Sequence, residues 1–154
     1  MDISNNAKKA RPSSTLSISS NANRMIDEGI DIVNFSAGEP DFNTPDYIKE
    51  AAIEAINDNF TKYTPYEGIV ELRQAVADDL KKNCDLDYTP EQIVISNGSK
   101  HAITNAFMAI LNPEDEVIVP APYWNSYIDI IELCYGVPVV VNTTKQNSFK
   151  VTVE

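Results

Sequence analysis

The sequence predicts an α/β fold, a partial and mainly parallel sheet with flanking helices. Two observations carry that prediction. Three short apolar runs, "QIVIS" (92–96), "EVIV" (116–119) and "VPVVV" (137–141), are continuous rather than alternating, the signature of strands covered on both faces. Helical segments separate them, at 100–111 and 125–134, and strands alternating with helices close as parallel βαβ units.

The elements follow in chain order. Residues 1–22 are polar and rich in Ser and Asn, and read as an arm or a disordered tail. "DIVNFSAGEPDF" (31–42) is a strand-like run that ends in a Gly-Pro turn. Thr44-Pro45 predicts a helix start, with Thr as the cap and Pro in the first turn. Ile48, Ala51, Ala52, Ala55 and Ile56 give that helix one apolar face. "NFTKYTPYEG" (59–68) is a turn, and a second helix over 69–80 points Leu72, Val76 and Leu80 inward. "KHAITNAFMAIL" (100–111) is apolar on most sides, which predicts a buried helix. Pro138 keeps the start of the last strand out of a fully paired central ladder. Three strands leave two open edges, so the chain reads as part of a larger domain.

Composition excludes several functions. The 154 residues are about one domain's worth, 43% apolar. A net charge of −11, with 23 acidic against 12 basic residues and no basic stripe, argues against nucleic acid and anionic lipid as partners. No run is long and apolar enough for a membrane span, and no apolar leader core opens the sequence, so a cytoplasmic location is expected. Cys84 and Cys134 are isolated and read as reduced thiols. A single His offers no metal cluster at familiar spacing.

The chemistry concentrates on one rim. In a parallel sheet the loops at the strands' carboxyl ends share an edge where ligands bind. "SNGSK" follows the first expected strand and "PAPYW" the second. Gly98 lets the backbone come close to a ligand, and the amides of Ser99, Lys100 and His101 open a helix whose dipole favours an anion. This is not a P-loop: Val94 and Ser99 stand where its glycines belong, and His101 follows the Lys. A plain structural turn also fits the Gly-Ser-Lys stretch. Trp124, the only Trp, reads either as a core anchor or as a platform for a flat ring. A phosphate cradle beside an aromatic platform suits a phosphorylated aromatic cofactor. His101 reads as a locally satisfied side chain, and the carboxylates of "DEGID" and "DLDYTPE" as solvated turn residues.

"FSAGEPDFNTP", "KYTPYEGIVELRQAVA" and "ISNGSKHAITNAFMAILNPEDEVIVPAPYWNSY" together resemble the class I aminotransferases of fold type I, which depend on pyridoxal 5'-phosphate, in their bacterial aspartate aminotransferase-like branch. The resemblance runs from about Arg11 to the end. It implies residues 1–44 as an N-terminal arm with a substrate-proximal segment, and 45–154 as the N-terminal part of an incomplete cofactor-binding large domain. By the same resemblance Gly98, Ser99 and Lys100 hold the cofactor phosphate and Trp124 stacks on its ring. Tyr63 reaches the phosphate of the neighbouring subunit, Gly38 meets the substrate carboxylate, and Arg11 stands near the substrate side chain. The implied reaction moves an amino group between an aspartate-like or aromatic amino acid and a 2-oxo acid, in a homodimer. The Schiff-base lysine of the family matches no position here, Lys100 included, so catalytic residues are expected to be absent and the chain alone inactive. A non-catalytic remnant or phosphate-binding module is the alternative, and an unrelated nucleotide binder a third.

Overall fold

A computed structural model describes residues 2–9 and 14–152. It contains helices α1 (Ser14–Asp27), α2 (Asp46–Asn57), α3 (Val70–Cys84), α4 (Gly98–Ile110) and α5 (Ser126–Leu133), and strands β1 (Glu116–Ala121) and β2 (Val137–Asn142). Short 3₁₀ turns cover Ala7–Lys9, Pro90–Gln92 and Lys145–Asn147. The chain forms two compact units, Gly38–Ser96 and the remainder, Met1–Ala37 with Asn97–Glu154.

The second of these carries the sheet. β1 and β2 pair in parallel, from Glu116 opposite Val137 to Ala121 opposite Asn142, with α5 as the crossover between them. Val119, Ile130, Ile131 and Cys134 are its buried core, Ile131 being 1% exposed. Val137 N–H donates to Asp115 O at 2.8 Å, and Thr143 N–H to Ala121 O at 3.2 Å. Amides of a parallel strand alternate in direction, so odd-numbered residues of both strands face across the pair. Pro120 and Pro138 therefore turn their donorless nitrogens to the two outer edges, and the β1–β2 ladder loses no bond to either.

The α/β class and the parallel pairing stand; the third strand does not. Ile93 is extended, with φ −117° and ψ 131°, but 93–96 form no strand and no described strand lies alongside. A strand is completed by its neighbour. Here Ile95 N–H finds only the carbonyl of Glu67, in a turn, at 2.8 Å. The strand-like run at 31–42 is irregular for the same reason, with Phe35 91% exposed. Of the two readings of residues 1–22, an arm or a disordered tail, the disordered tail is corrected, because residues 14–22 lie in α1. Its half-covered side carries Ser19, Ala22 and Met25, a short stripe set among many Ser and Asn residues. Ser19 Oγ and Ser36 Oγ lie 2.6 Å apart, and Arg24 reaches Glu28 at 2.5 Å across the last turn.

α4 is not buried, a further correction: none of its residues is, and Met108 and Ile110 lie open. Within its unit only α5 packs on it, so its other apolar faces have no cover among the described residues. α2 begins one residue later than expected, with Pro45 at the cap and its carbonyl accepting Ile48 N–H at 3.0 Å; Thr44 does not cap it.

The Gly38–Ser96 unit is built on α3. Ala77 and Ile93 are its buried residues. Val76 and Leu80 are half-buried, whereas Leu72 is exposed, against expectation. Arg73 ties the unit together, its guanidinium donating to Gly68 O at 3.1 Å and Pro90 O at 2.7 Å. Gly68 has φ +101°, and a Cβ there would lie 2.5 Å from Ile95 Cγ1, so no other residue fits this turn unchanged. Beside it the Glu91 carboxyl is held below its ordinary range by a hydrogen bond from Thr89 and by its own backbone amide.

The two thiols differ in kind. Cys84 is exposed; Cys134 is buried, its Sγ 3.8 Å from Thr104 O, and burial raises its pKa. Iodoacetamide at pH 8 should therefore alkylate Cys84 at least tenfold faster than Cys134, read by peptide mass spectrometry. Equal rates would mean that the α5 core opens freely. Among the described residues no helix is long and apolar enough to cross a membrane.

Candidate functional site

The strongest constellation lies where α4 begins and β1 ends. Gly98 opens α4 with φ +79°, a left-handed conformation that side chains disfavour. A Cβ there would meet nothing within 4 Å. The glycine thus serves the dihedral of the turn; no crowding within the chain demands it. Asn97 precedes it, and Asn97 N–H donates to His101 Nδ1 at 3.1 Å. That bond fastens the loop to the first helical turn. His101 is the locally satisfied group that the sequence predicts.

The amides of Gly98, Ser99 and Lys100 belong to the first turn of α4, where a helix offers no internal acceptor. All three residues are exposed. The dipole of a 13-residue helix adds partial positive charge at this end, and Thr104 Oγ1, donating to Lys100 O at 2.7 Å, stiffens the turn.

The second loop follows β1. The Ala121–Pro122 peptide is cis. The Ala121 carbonyl accepts both the amide and the hydroxyl of Thr143, which pins the loop to the segment after β2. Val119, Pro120, Pro122, Tyr123, Trp124 and Tyr127 line an open depression of about 440 Å³. Trp124 and Tyr127 meet edge to face, centroids 5.5 Å apart at 88°. Trp124 remains 43% exposed, so its ring lies at the surface and is no deep core anchor. Lys100 Nζ stands over its ring, 5.1 Å from the centroid.

The structure thus brings Lys100 and Trp124 into contact, with Gly98 and Ser99 on the same turn as Lys100. Tyr63 and Gly38 belong to the other unit. Tyr63 is fully exposed, and a Cβ on Gly38 would meet nothing within 4 Å. Near Tyr63, the Tyr66 hydroxyl has its pKa raised by a hydrogen bond to Glu67 and by that carboxylate's charge. Arg11 lies outside the described residues. Sequence reasoning missed two supports: Tyr127 beside Trp124 and Thr143 on the Ala121 carbonyl. The i,i+3 spacing of Trp124 and Tyr127 was a usable signal; a contact across 22 residues, such as Thr143 to Ala121, leaves none.

Residues 30–154 match the family model described as aminotransferase class I and II. A probable aspartate/prephenate aminotransferase from Rhizobium leguminosarum bv. phaseoli is 49% identical over 92% of this chain and 36% of its own length. The aspartate aminotransferase of Bacillus subtilis is 41% identical over the whole chain and 39% of its own length. The structure of the Thermus thermophilus aspartate aminotransferase with maleate superposes with a TM-score of 0.94 at 40% identity, covering 99% of this chain and 40% of that one. The chain spans less than two fifths of the length of the curated relatives named here.

Proposed function

Because this chain belongs to the class I and II aminotransferases, we propose that it forms the phosphate- and ring-binding end of an enzyme that transfers an amino group from an amino acid to a 2-oxo acid with pyridoxal 5'-phosphate. The observation that carries the reading is the pairing of an anion-ready helix start at Gly98–Lys100 with the exposed Trp124 ring, joined by the Lys100 contact. These residues fit the cofactor: outward amides and an ammonium suit a dianion, and an exposed indole suits a flat ring. The overall charge is −11, so this attraction works locally. It does so because no ion pair among the described residues engages Lys100.

Each residue has a distinct task. The Gly98 and Ser99 amides and the Ser99 hydroxyl bind the phosphate, and Lys100 adds a charge-assisted bond. Trp124 orients the ring and, with Tyr127 behind it, keeps water from one side. Tyr63 serves the phosphate of a neighbouring subunit, and the Gly38 backbone serves the substrate carboxylate. When bound, the cofactor supplies a conjugated ring that takes up the electron pair left as the substrate's α-proton departs. No residue of this chain is assigned the proton transfer or the covalent link. The names of the relatives favour an aspartate-like amino acid as donor, and the notion of an aromatic donor rests on the resemblance alone. The protein is proposed to act as a cytoplasmic homodimer, with 1–44 as arm and substrate-proximal segment and 45–154 as part of the cofactor domain.

The test is equilibrium binding followed through Trp124 emission. Pyridoxal phosphate should bind at least about tenfold more tightly than pyridoxal, one charge-assisted bond being worth about 1.5–3 kcal/mol, and inorganic phosphate should compete. Equal affinity for the two would end the phosphate reading of the turn.

A further inference from the structure

Asn97-Gly98 is the only Asn-Gly pair in the chain. Its setting leaves the two residues open to react with each other. Both are exposed. The Asn97 side chain makes no capping bond to α4, so its amide group is not held. Gly98 has no side chain to shield its nitrogen, and the space where a Cβ would stand is empty to 4 Å. The Gly98 N–H lies in the first turn of α4, where the helix gives it no acceptor. Ring closure between the two requires the Asn97 ψ to rotate from 70°, and the bond from Asn97 N–H to His101 Nδ1, at 3.1 Å, resists that rotation.

We infer that Asn97 is a site of spontaneous deamidation, with the Gly98 amide nitrogen as the nucleophile. That nitrogen gives its proton to hydroxide and attacks Asn97 Cγ. The new N–Cγ bond closes a five-membered imide, and the side-chain nitrogen leaves as ammonia, taking a proton from water and restoring the hydroxide. Water then opens the ring at either carbonyl and leaves aspartate or its β-linked isomer. Negative charge develops on the nitrogen and then on the side-chain oxygen, at the positive end of the α4 dipole, which stabilises it. The aspartate product is stabilised in turn, because a carboxylate is a favoured group at a helix start. A converted chain therefore keeps α4 but offers its first turn less readily to any anion, since a fixed negative charge now stands beside those amides. The inference is independent of the reading of this turn as a phosphate cradle.

The test is incubation of the full chain at pH 8 in ammonia-free buffer, folded and in urea, with tryptic peptides mapped by mass spectrometry over time. Far-UV circular dichroism defines the interval over which the folded sample keeps its helices, and rates are taken within it. In the folded chain Asn97 should convert first, at least about tenfold ahead of Asn125 and Asn147, whose following serines crowd the attacking nitrogen. Its folded rate should lie within about tenfold of its rate in urea, because a single hydrogen bond resists the closure. Paired aspartyl and isoaspartyl peptides, resolved by chromatography, should mark the imide route. Three results would each overturn the inference: Asn125 or Asn147 converting ahead of Asn97, folding that slows Asn97 beyond that margin, or an aspartyl product with no isoaspartyl partner, which is direct hydrolysis without the Gly98 nitrogen.

Discussion

Gly98→Val should weaken pyridoxal phosphate binding roughly tenfold to several-hundredfold, the loss of one or two charge-assisted bonds of about 1.5–3 kcal/mol each. The mechanism is conformational. Gly98 sits at φ +79°, where a β-branched residue is a genuine outlier. There is space for the new side chain, since nothing lies within 4 Å of its Cβ. The turn itself must therefore give way, and the Gly98 and Ser99 amides turn from the phosphate. Gly98→Ala should act in the same direction and more mildly, as alanine tolerates the left-handed region somewhat better. Unphosphorylated pyridoxal should be nearly indifferent to both. Titration of each variant with the two compounds decides the matter: an equal loss for both would mean that Gly98 supports the fold and not the phosphate.

The second large effect concerns surface. The chain of 17.1 kDa exposes 12789 Å². A monomer of that mass is expected to expose about 7,800 Å², and two independent domains sharing it about 9,300 Å². The excess over the more generous figure, about 3,500 Å² on one chain, exceeds the half-share that one partner contributes to a typical obligate interface. It is apolar in part: Phe42, Met108, Ile110 and Ile118 are all more than 60% exposed. At micromolar concentration the isolated chain should self-associate, bind a hydrophobic dye and melt over a broad range. Light scattering and calorimetry would refute this by finding a monomer with a sharp, reversible transition.

Legibility in the sequence followed the range of the interactions. β1, α5 and β2 were readable because a parallel crossover is written locally, in two apolar runs and the helix between them. Their burial agrees, with Val119, Ile130 and Ile131 at the centre. The run at 92–96 misled because apolar character marks a strand that will be covered, and its cover is not among the described residues. α4 misled for the same reason, its apolar faces being written for neighbours that α5 alone does not supply. α1 escaped notice because its Ser and Asn content reads as an arm or tail, and its half-covered side sets Ser19 beside Ala22 and Met25. At the site, Gly98 and Trp124 were visible as unusual residues in telling places. The local satisfaction of His101, four residues from Asn97, was legible as well, whereas the hold of Thr143 on Ala121 depends on a distant segment and is not written in a local pattern.

The outward prolines of the sheet have a consequence for growth and for misassembly. Pro120 leaves the free side of β1 without a donor near its carboxyl end, and Pro138 does the same near the amino end of β2. A strand added beside β1 is fully bonded only along its first half, and one beside β2 only along its second half. The two flanks are thus keyed differently, so two copies meeting edge to edge in the manner of a fibril cannot zip along the full six residues. For a chain with so much apolar surface this matters. Its self-association is steered toward side-chain faces, where contacts are reversible, and away from a continuous backbone ladder, where they are not.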